Sequence, residues 1–201
     1  YIEKISKQIE DGVQITTDVG QNQVWVAQSF KVKPNQRVLF SGGHGAMGYS
    51  LPASIGAYYA TKNNVVCFCG DGGFQMNIQE LQVIVRDKLP IKIIVINNNS
   101  LGMIRHFQEM YFDKRYTQTV EAKGYTTPDF CAISNAYGIK NKKIVNIDDI
   151  NNINFNDGIP ELIEIFLDED TYVYPKLRYG NSNEDQEPLL DRKMYNYLMK
   201  L

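Results

Sequence analysis

The chain has 201 residues, 21 Lys and Arg against 23 Asp and Glu, and a formal net charge of −2. That length suits one domain with a short appendage, and the charge leaves no basic footprint for nucleic acid or a membrane surface. No apolar run approaches the roughly 20 residues needed to span a bilayer.

The opening Tyr1-Ile2-Glu3-Lys4 is neither a signal peptide nor an initiator methionine, so the chain reads as a piece of something longer. Ile2, Ile5 and Ile9 share one stripe, which makes residues 1–10 a helix covering a sheet edge. Residues 13–17 form a first strand with the polar exit Asp18-Val19-Gly20-Gln21-Asn22. Residues 24–30 are helical, Pro34-Asn35 is a turn, and residues 37–40 are a second strand. A glycine-rich loop, Ser41-Gly42-Gly43-His44-Gly45-Ala46-Met47-Gly48, leads into a helix over about 48–60.

Residues 65–69 are a buried, β-branched and aromatic strand that stops at Gly70-Asp71-Gly72-Gly73. A helix follows over residues 76–85 and ends at Leu89-Pro90, because the residue before proline disfavours the α region. Residues 91–96 are the fourth strand, leaving through Asn97-Asn98-Asn99. Residues 101–111 are a segment with Met103, Ile104, Phe107, Met110 and Tyr111 on it, and residues 113–125 are a loop without clear period. A helix over 128–137 precedes a fifth strand at 143–147, a short helix at 148–155 and a sixth strand at 160–167. Residues 171–201 form an extended tail with a terminal helix over 191–201, its Tyr195, Leu198 and Leu201 free to dock on a neighbour.

Strands alternating with helices predict an α/β fold: a doubly wound, mainly parallel six-stranded sheet with helices on both faces. Residues 1–170 are then the domain proper. The exits at 18–22, 41–45, 70–73 and 97–100 all open on one edge of the sheet, where open α/β sheets bind ligands. Cys67 and Cys69 lie two apart on one strand and share a face; with no second Cys/His pair at zinc spacing, they read as small buried hydrophobes. Three free thiols fit a reducing, cytoplasmic setting.

Gly-Asp-Gly on one exit and Asn-Asn on the next offer a charged and a neutral oxygen to a hard divalent cation. Mg²⁺ takes few protein ligands and fills its shell with phosphate and water. The glycines let backbone N–H groups approach a diphosphate with no Cβ in the way. Gly43-His44-Gly45-Ala46-Met47-Gly48 also matches the G-x-G-x-x-G dinucleotide fingerprint. In such a domain, however, the acid stands alone to meet a ribose, whereas Asp71 sits inside a glycine turn with an asparagine turn one strand later. The set favours a metal–diphosphate site over NAD.

The span from Gly70-Asp71-Gly72 to Asn97-Asn98 resembles the signature of thiamine diphosphate enzymes. Thr17-Asp18-Val19-Gly20-Gln21-Asn22-Gln23-Val24-Trp25, the 41–48 loop, Leu51-Pro52-Ala53-Ser54-Ile55-Gly56-Ala57 and Leu101-Gly102-Met103 extend the likeness, which is to the large subunits of acetolactate synthases. It covers roughly residues 14–166 and fades toward the C-terminus.

The resemblance implies that Asp71 and Asn98 hold Mg²⁺ by side chain and Ser100 by its carbonyl. Gln21, Asn22, Gly70, Gly72 and Gly73 would face the diphosphate. Met47 would wedge between the cofactor rings, Gly45 would accept from the 4′-amino group, and Leu101, Gly102 and Met103 would complete the wall. Met47, Met103 and Phe107 are the residues expected beside the reacting atoms. The implied chemistry is decarboxylation of a 2-keto acid and ligation to a second carbonyl compound.

The resemblance also implies what lies elsewhere. The glutamate that activates the cofactor belongs to an N-terminal pyrimidine-binding domain, supplied by a second subunit of a homodimer or homotetramer, and Glu80 and Glu109 lie in the wrong segments to replace it. Alone, these residues are therefore expected to be inactive. Whether an FAD-binding middle domain precedes Tyr1 in the full-length protein is left open. Asn22 stands where acetolactate synthases usually show His, Phe107 where they often show Trp, and the tail differs. A related lyase acting on another 2-keto acid or acceptor is therefore the alternative.

Overall fold

The computed structural model describes all of Tyr1–Leu201. In chain order its elements are α1 (Ile2–Gln8), β1 (Gln14–Thr17), α2 (Gln21–Ser29), β2 (Val38–Phe40), α3 (Ser50–Thr61) and β3 (Val65–Gly70). There follow α4 (Asp71–Gln75), α5 (Leu81–Arg86), β4 (Ile91–Asn97), α6 (Gly102–Tyr111), α7 (Phe130–Tyr137), β5 (Lys140–Ile144) and β6 (Glu161–Phe166). Two short strands, β7 (Lys176–Leu177) and β8 (Gln186–Glu187), and α8 (Arg192–Leu198) complete the chain. The chain divides into two units, Tyr1–Thr171 and Tyr172–Leu201. No helix is long and apolar enough to cross a membrane.

The first unit holds the expected α/β fold: six strands, all parallel, in the order β2-β1-β3-β4-β6-β5. The period-two alternation of the central strands sends side chains to two separate cores. Val66, Phe68, Ile94, Ile96, Ile163 and Ile165 face one side, with Ile2, Ile5 and Ile9 of the N-terminal segment and Val26 of α2. Val65, Cys67, Cys69, Ile93, Val95 and Leu162 face the other, under Leu51 of α3, Phe74 of α4, Leu81 and Ile84 of α5, and Phe130 of α7. Cys67 and Cys69 are thus free thiols buried as core residues. The strand order reverses between β1 and β3, so the crevice for a ligand opens beyond the carboxyl ends of those two strands.

Several boundaries differ from the sequence reading for identifiable reasons. Ile2, Ile5 and Ile9 sit inside one face's core, not over a sheet edge. The fifth strand runs from Lys140 to Ile144, three residues earlier than expected. Gly138 takes the left-handed conformation that ends α7, and the chain pairs with β6 almost at once. As the sheet's outermost strand it needs no apolar alternation; Val145 and Ile147, which suggested a strand at 143–147, are exposed. The helix expected over 76–85 begins at Asp71, directly on the end of β3, and breaks at Met76-Asn77. At that break Asn77 Nδ2 donates to the carbonyl of Gly48 at 2.7 Å. The 148–155 helix is a 3-10 segment, Ile147–Asn152.

The second unit is a β7–β8 ribbon and α8. Asp191 caps α8 by accepting from the backbone N–H groups of Lys193 and Met194, and Glu187 pairs with Lys176 and Arg178.

Candidate functional site

Four strand exits and the start of α6 enclose a cavity of about 280 Å³. Its wall takes Val19–Asn22 and Trp25 from beyond β1, Gly45 and Met47 from the loop after β2, and Gly70–Gly73 from β3 and α4. Ile96, Asn98 and Ser100–Ile104 supply the rest. No Lys or Arg side chain is among them. The first turns of α2 and α6 both open on the cavity, and unpaired backbone N–H groups at such helix starts favour an anion.

Asp71 is the charge on this wall. It is almost wholly buried; Oδ1 accepts from the backbone N–H of Gly72 at 2.8 Å and Oδ2 from that of Ser100 at 3.1 Å. Burial pushes its carboxyl up to about 6, against the pull of those two donors. A carboxylate held with its charge disfavoured is the group a cation would relieve. Asn98 stands beside it on β4's exit. Its Nδ2 donates to Gln21 Oε1 at 3.0 Å, leaving its carbonyl oxygen as an acceptor without a donor. Asn97 is spent differently: Nδ2 donates to Glu164 at 2.8 Å and Oδ1 accepts from the Asn99 backbone. Only the second asparagine of the run is therefore a cavity group.

Close packing explains the glycines. A Cβ on Gly102 would lie 1.9 Å from Gln21 Oε1 and 2.9 Å from Asn98 Nδ2, so this position must be bare for the Gln21–Asn98 bond to form. A Cβ on Gly73 would lie 2.6 Å from Asp18 Oδ2. Asp18 in turn fixes the glycine-rich loop: its carboxylate accepts from the backbone N–H of Gly48 at 2.9 and 3.1 Å and from that of Val19 at 2.8 Å. Burial raises its carboxyl above the usual carboxylate range. With Asn77 holding the Gly48 carbonyl, the loop is tied at both ends of one residue, and Met47 reaches the cavity.

Gln21, Asn22, Gly45, Met47, Gly70, Asp71, Gly72, Gly73, Asn98, Ser100, Leu101, Gly102 and Met103 all lie on this one wall. Phe107 does not. It is half-exposed one turn further along α6, beyond the cavity wall, its ring centroid 4.6 Å from Tyr111 and 6.1 Å from Phe112. The Asn22 amide is already engaged, donating to the Val19 carbonyl and accepting from the Thr17 hydroxyl, both at 3.0 Å.

Sequence reasoning missed Val19, Gly20, Trp25, Ile96 and Ile104 on the wall, the anchoring role of Asp18, and Tyr125 behind Asp71. Asp18 stood inside a quoted motif, but only the fold brings Gly48 to it. Tyr125 gave no signal, lying in a loop without period.

Residues 18–164 match the family described as thiamine pyrophosphate enzyme, C-terminal TPP binding domain. The chain is 38% identical over 175 residues to the acetolactate synthase isozyme 2 large subunit of Escherichia coli (strain K12), covering 85% of this chain and 31% of that protein. It is 41% identical over 176 residues to the acetolactate synthase large subunit of Lactococcus lactis subsp. lactis (strain IL1403), covering 85% and 30%. With the corresponding protein of Cyanidium caldarium it shares 42% identity over 181 residues, covering 88% and 30%. The chain thus spans about 30% of the length of the curated relatives it matches.

Proposed function

Because this chain belongs to the thiamine pyrophosphate (thiamine diphosphate) enzymes, as their C-terminal cofactor-binding domain, we propose that its cavity holds the diphosphate through Mg²⁺ in an acetolactate synthase-like enzyme. The observation that carries this reading is the pairing of opposite preferences on one wall. Two helix starts favour an anion, while a buried carboxylate with a raised pKa and a free amide oxygen favour a cation. A metal–diphosphate satisfies both at once, and the absence of Lys and Arg leaves neutralisation of the diphosphate to the cation. The donor set is all oxygen, as a hard ion requires.

Asp71 and Asn98 would hold Mg²⁺ by side chain and Ser100 by its carbonyl. The backbone of Gly72, Gly73 and the starts of α2 and α6 would meet the phosphate oxygens. When bound, thiamine diphosphate supplies the carbon nucleophile and electron sink for decarboxylating a 2-keto acid and joining the fragment to a second carbonyl compound. This chain's own contribution is to bind, orient and exclude water. Met47, held by the Asp18–Gly48 tie, supports the ring end of the cofactor, and Leu101, Met103 and Ile104 supply an apolar wall.

The partner in this reading is a pyrimidine-binding domain from a second subunit. Its support is the band of exposed apolar side chains at the cavity mouth and along α6: Met47, Met103, Ile104, Phe107, Tyr111 and Phe112. FAD, where the full-length protein carries a middle domain for it, would bind outside these residues. Three buried free thiols support a cytoplasmic setting. The Asn22 amide, committed to Thr17 and Val19, supports the second reading in one respect: the position where acetolactate synthases usually show His cannot titrate here, so the acceptor carbonyl compound is the less determined half of the reaction. Steady-state assay of the full-length protein on pyruvate, with and without thiamine diphosphate and Mg²⁺, tests the proposal. Turnover independent of either would overturn it.

A further inference from the structure

Tyr125 lies in the loop between α6 and α7, and its hydroxyl is buried without a hydrogen bond of normal geometry. It lies 3.2 Å from where a Gly72 Cβ would stand, in the same small space as Met47 Cε and a Leu101 methyl, and close enough to Asp71 to interact with its carboxylate. The loop that delivers it is stitched to the exit of β4. Ser100 Oγ and the Leu101 N–H both donate to the Thr119 carbonyl, at 2.8 and 3.0 Å. Asn99 Nδ2 donates to Glu121 at 3.0 Å, and Thr127 Oγ1 to Asn99 Oδ1 at 3.3 Å. The Tyr125 N–H itself donates to Val120 at 3.1 Å. Seven neighbouring residues thus place one phenol beside one carboxylate.

We propose that Tyr125 is a positioning residue for the cation: when the metal is bound and Asp71 is held ionised, the Tyr125 hydroxyl donates to that carboxylate and fixes the orientation in which it ligates. The proposal rests on the metal–diphosphate reading above. Each Asp71 oxygen already accepts one backbone N–H, from Gly72 and from Ser100, so both donors restrain the carboxylate from the chain itself. The phenol adds a third donor from a different loop. Carboxylates that ligate metals are themselves hydrogen-bonded, and losing such a partner typically costs about 10–100-fold in metal affinity. A buried hydroxyl with no hydrogen bond of normal geometry is a cost to the unliganded fold, which a donor role in the metal-bound state would offset.

The test is Tyr125→Phe in the full-length protein, stripped of cofactor and metal. Calorimetric titration with Mg²⁺ at saturating thiamine diphosphate should show affinity for the metal reduced about tenfold. Thermal melting of the stripped protein should be unchanged or raised, because no native hydrogen bond is lost. An unchanged Mg²⁺ affinity overturns the proposal, as does a lowered melting temperature of the stripped variant, which would make the hydroxyl structural. Asp71→Ala in parallel separates the levels. If it abolishes Mg²⁺-dependent binding while Tyr125→Phe leaves it intact, the inference about Tyr125 fails and the metal site stands. If the wild-type protein shows no Mg²⁺-dependent binding, both fall together.

Discussion

Asp18 does its work through the backbone of another segment. Its carboxylate joins the end of β1 to Gly48, and with Gly73 packed bare against it the loop carrying Gly45 and Met47 has one available position. The titratable groups facing it, Cys67 and Cys69 on β3, are buried thiols. Burial raises the Asp18 carboxyl in the folded chain, so folding favours its neutral form. The stability this gives is full below the unfolded value and lost as pH rises through the folded value. Wild type should therefore lose stability relative to Asp18→Asn as pH is raised from about 4 to neutrality, measured by paired thermal melts. The opposite trend would show that the donors from Gly48 and Val19 outweigh burial. Gly102 makes a sharper steric prediction. Gly102→Ala must displace Gln21 from Asn98, and forcing an extra methyl into such packing costs about 1–3 kcal/mol. Cofactor affinity should fall by at least about tenfold with the overall fold kept, as read by calorimetry beside circular dichroism. Unchanged affinity would mean the Gln21–Asn98 bond is dispensable.

At the scale of elements, legibility followed burial. β3 and β4 are covered on both faces, so their apolar runs announced them, and their Gly, Asp and Asn exits marked the cavity before any fold was known. β5 is an edge strand of lysines and an asparagine, with only Ile144 buried, and its position is set by pairing with β6 and by the Gly138 cap. The start of the helix at Asp71 was hidden because glycines are poor helix formers; here they are bare because Asp18, Leu101 and Met47 leave them no room. Tyr125 was illegible in principle, since only the stitching of its loop to Asn99 and Ser100 gives it a neighbour. On α6, Met103 and Ile104 line the cavity, while Phe107, one turn on along the same stripe, lies beyond it. Substrate choice should accordingly respond more to Ile104→Ala than to Phe107→Trp. In the full-length enzyme the ratio of kcat/KM between two 2-keto acids should shift by about tenfold for the former, within the roughly 1–3 kcal/mol that an apolar pocket discriminates. A larger shift from Phe107→Trp would place the acceptor further along α6, beyond the cavity.

For the whole molecule, the proposed function makes the cavity one side of an active site. Six parallel strands with a core on each face form a complete layered unit. These 201 residues should therefore fold alone, and under the proposed reading, in which a partner domain supplies the activating glutamate, they should be catalytically inactive. Multiple turnovers of pyruvate by the isolated chain would contradict that division of labour. In the proposed function Asp71 anchors a cation, which in turn holds the diphosphate. The most direct measurement is calorimetric titration of thiamine diphosphate into wild type and Asp71→Ala of the full-length protein, each with and without Mg²⁺. The account predicts Mg²⁺-dependent, saturable binding to wild type and its loss in Asp71→Ala, with the circular dichroism spectra superimposable. Equal affinity in the two proteins, or binding to wild type that ignores Mg²⁺, would contradict it.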